Sequence, residues 1–98
     1  MAELNWTAEA ERWLQEIYEY IARDNPDAAA GIIEGIFRKA QVLVDFPKIG
    51  HRYDALPGRE ARVLLYGHYR IAYLIKADGD IDILGVFHGA MEIERYIK

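Results

Sequence analysis

The chain has 98 residues, of which 52% are hydrophobic and 29% charged, and it contains no cysteine. This length supports one domain over residues 1–98, and the missing cysteine excludes disulfides and thiolate chemistry. The net charge of −4 argues against a general nucleic-acid-binding protein, and no apolar stretch approaches the roughly 20 residues needed to cross a bilayer. With no signal-like N-terminus, the expected location is the cytoplasm.

The N-terminal part predicts a short strand followed by a helix. Leu4 and Trp6 lie on one side of an alternating segment, which is typical of a strand. Thr7 suits a helix N-cap, and acidic residues follow in the first turn, where the helix dipole favours negative charge. The apolar positions then recur at helical spacing: Ala10, Trp13, Leu14, Ile17 and Ile21.

A second helix is predicted from Pro26 to about Phe46. Asn25 is a suitable N-cap, and a proline at the first helical position loses no hydrogen bond. Gly31 and Gly35 are four residues apart, and we expect them to allow close packing against the first helix. The short break between the two helices predicts an antiparallel helical hairpin.

The C-terminal half predicts three strands in an antiparallel meander. Residues 47–59 contain two prolines and two glycines and predict an irregular loop. Strands are predicted over 60–66, 69–76 and 81–87, with turns at Gly67-His68 and at 77–80. A short C-terminal helix is predicted over 91–97. Helices segregated from a mostly antiparallel sheet make an α+β fold.

The predicted strands are apolar on both faces, although two helices can cover only one. An antiparallel sheet with a solvated face should alternate apolar with polar residues. We therefore expect an open apolar face with basic edges, suited to an acidic amphipathic peptide, with burial in a homodimer as the alternative. The predicted partner-binding residues are Arg62, Arg70, Ala72, Leu74, Leu84, Val86, His88 and Met91.

Charge is distributed unevenly along the chain. Residues 1–47 hold four basic and nine acidic side chains, whereas residues 48–76 hold six basic and two acidic ones. The second segment could be an ordinary solvated surface, or it could form a positive stripe that meets an acidic partner or a phosphate backbone. Charge alone leaves both interpretations open.

Four segments in order make the chain resemble the ParE/RelE toxin superfamily, the plasmid-stabilisation toxins. They are WLQEIYEYI at 13–21, FPKIG at 46–50, YRIAY at 69–73 and ILGVFHGAM at 83–91. The resemblance implies the toxin of a type II toxin–antitoxin system, neutralised by a cognate ParD-like antitoxin. The antitoxin, with a ribbon-helix-helix domain, would supply the sequence-specific DNA binding, so the toxin itself is not expected to bind DNA that way.

The superfamily has two mechanisms, and the resemblance is greater to its ParE branch. RelE-like members cleave messenger RNA on the ribosome and need cations for the scissile phosphate with an acid and a base. If this chain were such a nuclease, Arg70, His88 and Tyr96 would carry the catalysis. Ala90 and Met91 stand where a nuclease should have cationic side chains, so the resemblance favours a non-enzymatic inhibitor of DNA gyrase. An mRNA interferase and a non-toxic binding protein remain the alternatives.

Structural roles are the alternatives for the candidate site residues. His88 could close the last strand through a hydrogen bond, and Arg70 could pair with a carboxylate such as Glu60. The spacing of His51, Asp54 and His68 matches no usual ligand pattern, so neither a metal nor a cofactor is expected.

Overall fold

A computed structural model describes residues 2–54 and 58–88. These described residues form seven elements: β1 (Leu4–Trp6), α1 (Ala8–Ala22), α2 (Pro26–Asp45), β2 (His51–Tyr53), β3 (Glu60–Tyr66), β4 (Tyr69–Ile75) and β5 (Ile81–His88). The strands form one sheet in the order β1-β5-β4-β3-β2, in which β1 is parallel to β5 and the other pairs are antiparallel. The predicted α+β fold is confirmed. The helix predicted over 91–97 lies outside the described residues.

Both helices begin where the sequence predicts. The Thr7 hydroxyl accepts a hydrogen bond from the Ala10 N–H at 3.1 Å and donates one to the Ile83 carbonyl at 2.6 Å, which joins the helix start to β5. The Asn25 side chain accepts from the Ala28 N–H at 3.1 Å. These caps satisfy backbone donors that the first helical turn leaves without partners.

The predicted irregular loop at 47–59 is wrong in one part, because it contains the edge strand β2. Arg52 pairs with Arg62 in the β2–β3 register, and His51 and Arg52 are exposed. A three-residue strand with two exposed polar side chains has no apolar alternation that could reveal it. Its pairing with β3 is a tertiary effect.

The helical hairpin covers one face of the sheet and encloses the main core. Tyr73 and Ile71 of β4 lie at its centre with no exposed surface, beneath Ile36 and Leu43 of α2. At the rim, the Trp6 and Phe37 rings meet edge to face with centroids 4.6 Å apart. Neither described helix is long and apolar enough to cross a membrane.

The two helical glycines do not act as predicted. A Cβ on Gly31 would meet nothing within 4 Å, so this glycine makes no close contact with α1. A Cβ on Gly35 would overlap the Tyr66 hydroxyl and lie 2.7 Å from its Cζ, so Gly35 makes room for a ring from β3. Because Gly31 and Gly35 are four residues apart, they lie on the same side of α2. Which residues they contact there depends on the tertiary packing.

A β-bulge in β5 changes which face its last residues occupy. Ala72 pairs with Gly85, whereas the next residue, Tyr73, pairs with Ile83, so Leu84 is an extra residue. A bulge interrupts the period-2 alternation of a strand. Val86 consequently pairs with Ile71 and joins the core beneath the helices. The prediction that Val86 and His88 share a face with Ala72 is therefore wrong.

Candidate functional site

The sheet face opposite the helices is largely buried, which corrects the expectation of an open apolar surface. Ala72 and Phe87 are each 1% exposed, and Leu74 and Val63 are each 9% exposed. Trp13, Tyr53 and Leu84 pack against the cluster that Val63, Ala72 and Phe87 form. Trp13 comes from α1, and its ring meets that of Phe87 edge to face at 4.9 Å.

The accessible end of this face is formed by Arg70 and Leu65. They pair directly in the β3–β4 register, and Leu65 is 51% exposed. Arg70 is half-buried, on the same face as Ala72 and Leu74 as predicted, and none of the ion pairs among the described residues includes it. The suggested pairing of Arg70 with Glu60 is wrong. A half-buried guanidinium beside an exposed leucine is suited to contact with another molecule.

Arg62 has a structural position inside the chain. Its Nε donates to Glu60 at 3.1 Å, and its Nη1 donates to the carbonyls of Lys48 and Gly50 at 3.1 and 2.9 Å. The side chain is only 15% exposed. Arg62 pairs with Tyr73, on the helix-covered side, so its predicted place at the margin of the opposite face is wrong.

Tyr73 fixes the same loop from within the core. Its hydroxyl donates to the Pro47 carbonyl at 2.6 Å and accepts from the Gly50 N–H at 3.0 Å. Burial raises the pKa of Tyr73, and the hydrogen bond from Gly50 opposes that rise. Together Arg62 and Tyr73 hold the FPKIG segment, in which Phe46 and Ile49 are 62% and 52% exposed.

Of the six basic residues over 48–76, for which a positive stripe is one of two interpretations, three form ion pairs among the described residues. Besides the Arg62–Glu60 pair, Arg52 contacts Asp54 at 2.7 Å and Lys76 contacts Asp82 at 3.6 Å. Exposed pairs of this kind contribute little to stability, but they reduce the local positive potential. The structure favours the ordinary solvated surface over a phosphate-binding stripe.

A cleft lies between the C-terminal half of α1 and the end of the sheet where β4 begins and β5 ends. It has a volume of about 370 Å³, and the described residues that line it are Trp13, Glu16, Ile17, Tyr20, Tyr69, Val86 and His88. Tyr20 is 74% exposed at its rim. Burial raises the pKa of Tyr69, and the neighbouring Tyr20 adds to the rise.

His88 stands at the sheet side of this cleft. It pairs with Tyr69 in the β4–β5 register, and the two rings are edge to face with centroids 5.9 Å apart. The His68 ring lies nearly parallel to that of His88 at 6.3 Å. His88 is exposed, so it does not occupy the core.

Residues 4–93 match the family model for the ParE toxin of type II toxin–antitoxin systems, parDE. The chain belongs to the ParE toxin family. A Sinorhizobium fredii protein named as a toxin, Y4kP, is 36% identical over 85 residues, covering 87% of this chain and 85% of that protein.

Solved structures similar to this ParE-family chain share its fold. The chromosomal ParDE toxin–antitoxin system from P. aeruginosa matches with a TM-score of 0.71 at 23% identity, over 90% of this chain and 96% of that one. The toxin–antitoxin complex RelBE2 from Mycobacterium tuberculosis matches with a TM-score of 0.58 at 24% identity, over 89% and 96%. The ParE/RelE resemblance and the toxin assignment are confirmed.

Two of the three residues suggested for a ParE-family chain with nuclease activity do not converge. Arg70 lies on the face opposite the helices, whereas His88, beside Tyr69, lies on the face that α1 covers. Side chains that leave a sheet on opposite faces are poorly placed to contact the same phosphate. Tyr96 and Met91 lie outside the described residues.

Sequence reasoning missed the cleft and the Tyr73 contacts. The sequence predicts Trp13 and Ile17 on the apolar stripe of α1 and Tyr69 in a strand, and no local signal joins them. Unlike its strand neighbours Ala72 and Leu74, Tyr73 carries a hydroxyl, which needs a hydrogen-bond partner when it is buried. This requirement predicts that the Tyr73 hydroxyl has hydrogen-bond partners, but it does not identify them as Pro47 and Gly50.

Proposed function

We propose that this ParE-family toxin acts by binding and inhibiting DNA gyrase, not by cleaving RNA. The observation that carries the proposal is the position of Arg70 and His88 on opposite faces of the sheet. Cleavage by 2′-hydroxyl attack needs a base and a cation on one phosphate, and side chains that leave the sheet on opposite faces are poorly placed to supply both. Family membership supports the same choice, since the match is to the ParE model.

A cognate antitoxin is proposed as the second partner. The similar solved structures are the ParDE system and the RelBE2 complex, both toxin–antitoxin pairs. Among the predicted partner-binding residues in the described chain, Arg70, Leu84 and His88 retain exposed surface, Arg62 is 15% exposed, and Ala72, Leu74 and Val86 are buried. A partner surface built around Arg70 and Leu84, on the face opposite the helices, replaces the broad apolar face first expected. We also propose that the toxin acts in the cytoplasm.

Purified gyrase tests the main proposal. With plasmid DNA and ATP, the toxin should increase the fraction of DNA trapped in cleavage complexes, and the Arg70→Ala variant should reduce that effect by roughly tenfold, the size of a lost hot-spot arginine. Arg38→Ala is the matched control, because Arg38 is 77% exposed on α2 and pairs with Glu34. If the toxin left the fraction of trapped DNA unchanged and transcripts were cut in a ribosome-dependent manner, the nuclease alternative would replace this proposal.

Expression in cells tests the proposal that a cognate antitoxin neutralises the toxin. The toxin alone should stop growth, and the product of the adjacent reading frame should restore it and co-purify with the toxin. Normal growth with toxin alone would favour the non-toxic binding protein.

A further inference from the structure

We infer that the cleft formed by Trp13, Glu16, Tyr20 and Tyr69 binds an arginine side chain of a partner protein. The described residues that line the cleft combine an apolar wall with three aromatic rings, the His88 imidazole and one carboxylate. This combination is the chemistry that recognises an organic cation with an apolar stem.

The helix wall of the cleft is a single stripe of α1. Trp13, Glu16, Ile17 and Tyr20 follow one another at spacings of three, one and three, so they share one side of the helix over two turns. Trp13 is already fixed by its edge-to-face contact with Phe87. The stripe therefore presents one anchored ring, one apolar side chain and one exposed ring around the Glu16 carboxylate.

The acidic side chain among the described residues of the cleft, Glu16, favours a cation. Among the ion pairs and hydrogen bonds of the described residues, none includes Glu16, whereas the neighbouring Glu9 pairs with Arg12 at 3.0 Å and Glu19 accepts from Gln15 at 3.4 Å. The surrounding segment is acidic, since residues 1–47 carry nine acidic and four basic side chains. Both oxygens of the Glu16 carboxylate can therefore accept hydrogen bonds from a bound cation.

Guanidinium fits this cleft better than ammonium. It is planar, stacks on aromatic rings and offers paired donors to a carboxylate, whereas a lysine ammonium is compact and strongly hydrated. The walls supplied by Ile17 and Val86 match the methylene stem of the same side chain. The occupant is accordingly an arginine carried by a protein partner, and this inference does not depend on gyrase being the target.

Trp13 itself provides the signal for a binding test. The chain has two tryptophans, so Trp6→Phe leaves Trp13 as the sole fluorescent indole. Titration with arginine amide should change its emission in a saturable manner. Lysine amide should bind more weakly, and citrulline amide, the neutral analogue of nearly the same shape, should give no saturable change.

Variants of the cleft residues test whether arginine amide binds in the cleft. Glu16→Gln should weaken arginine amide binding by about fivefold, as expected for one partly exposed ion pair, and Tyr20→Leu by about threefold. Glu19→Gln, one turn further on and outside the cleft, should leave the affinity within twofold. An equal response to citrulline amide, or equal effects of Glu16→Gln and Glu19→Gln, would overturn the inference.

Further measurements distinguish a partner's arginine from two other possible occupants of the cleft, a second copy of this chain and an arginine of the chain itself. Sedimentation across a concentration series should give a monomer whose mass arginine amide does not alter. A dimer that arginine amide dissociates would mean that a second copy fills the cleft, and the inference would be wrong. Arg95→Gln should leave the Trp13 titration unchanged, and a tighter titration in that variant would identify the chain's own arginine as the occupant instead.

Discussion

Tyr73 shows how one buried hydroxyl can organise a loop distant in sequence. It lies 26 residues from Pro47 and 23 from Gly50, yet it bonds to the backbone of both. Gly50 also lacks space for a side chain, since a Cβ there would lie 2.6 Å from the Tyr73 hydroxyl and 2.9 Å from the Val63 carbonyl. The position of the exposed Phe46 and Ile49 follows from these contacts.

Replacing Tyr73 by Phe should destabilise the fold by about 1–3 kcal/mol, because the buried Gly50 N–H would lose its partner. Urea denaturation measured by circular dichroism would give the free energy of unfolding. Tyr18→Phe is the control, since Tyr18 is 38% exposed and its hydroxyl makes none of the hydrogen bonds found among the described residues. Equal stability of Tyr73→Phe and the wild type would mean that the two loop contacts contribute nothing.

Among the elements, α2 is well suited to a comparison of its two glycines. Gly31→Ala should stabilise the protein by about 0.5–1 kcal/mol, because alanine favours the helix and the added methyl meets no neighbour. Gly35→Ala should instead lower the stability by about 1–2 kcal/mol, since the Tyr66 ring must move. Thermal unfolding of both variants checks the opposite signs. Stabilisation by Gly35→Ala would indicate that Tyr66 moves away at little cost.

The bulge in β5 is the element-scale feature that determines the cleft. Without Leu84 as an extra residue, Val86 would face away from the helices, and Ile17 and Tyr20 would meet a different strand face. The bulge also places His88 beside Tyr69 and thereby separates it from Arg70. Both the inferred arginine site and the argument against a nuclease therefore depend on one irregularity in strand pairing.

For the whole molecule, stability should fall in alkaline solution. Burial raises the pKa of Tyr73 above its ordinary value of 10.0, and Tyr69 shifts in the same direction. A raised folded-state pKa means that the unfolded chain ionises first, so this stabilisation is present below pH 10 and is lost as pH rises through the folded value.

The Tyr73→Phe variant isolates the main contribution to this pH dependence. Its free energy of unfolding should decline less steeply above about pH 10 than that of the wild type, whose slope includes up to about 1.4 kcal/mol per pH unit from each differing proton. Denaturation series at pH 8, 9, 10 and 11 would measure the slopes. Identical slopes for Tyr73→Phe and the wild type would contradict the assignment.

Local patterns in the sequence determined most of the fold. Thr7 and Asn25 marked both helix starts, and apolar periodicity located α1 and α2. Apolar segments between turn residues located β3, β4 and β5, and Gly79 in the final turn has a positive φ of 91°. The order of these segments also determined the family resemblance. Such features are readable because each depends on residues that are close together in the chain.

Only the tertiary structure decided which side chains meet. It paired β2 with β3, inserted Leu84 as a bulge, placed Tyr66 against Gly35, and covered the second sheet face that the sequence left open. It also separated Arg70 from His88 and joined α1 to the sheet in the aromatic cleft. These outcomes depend on strand register and on contacts between residues far apart in the chain, where a shift of one position moves a side chain to the other face.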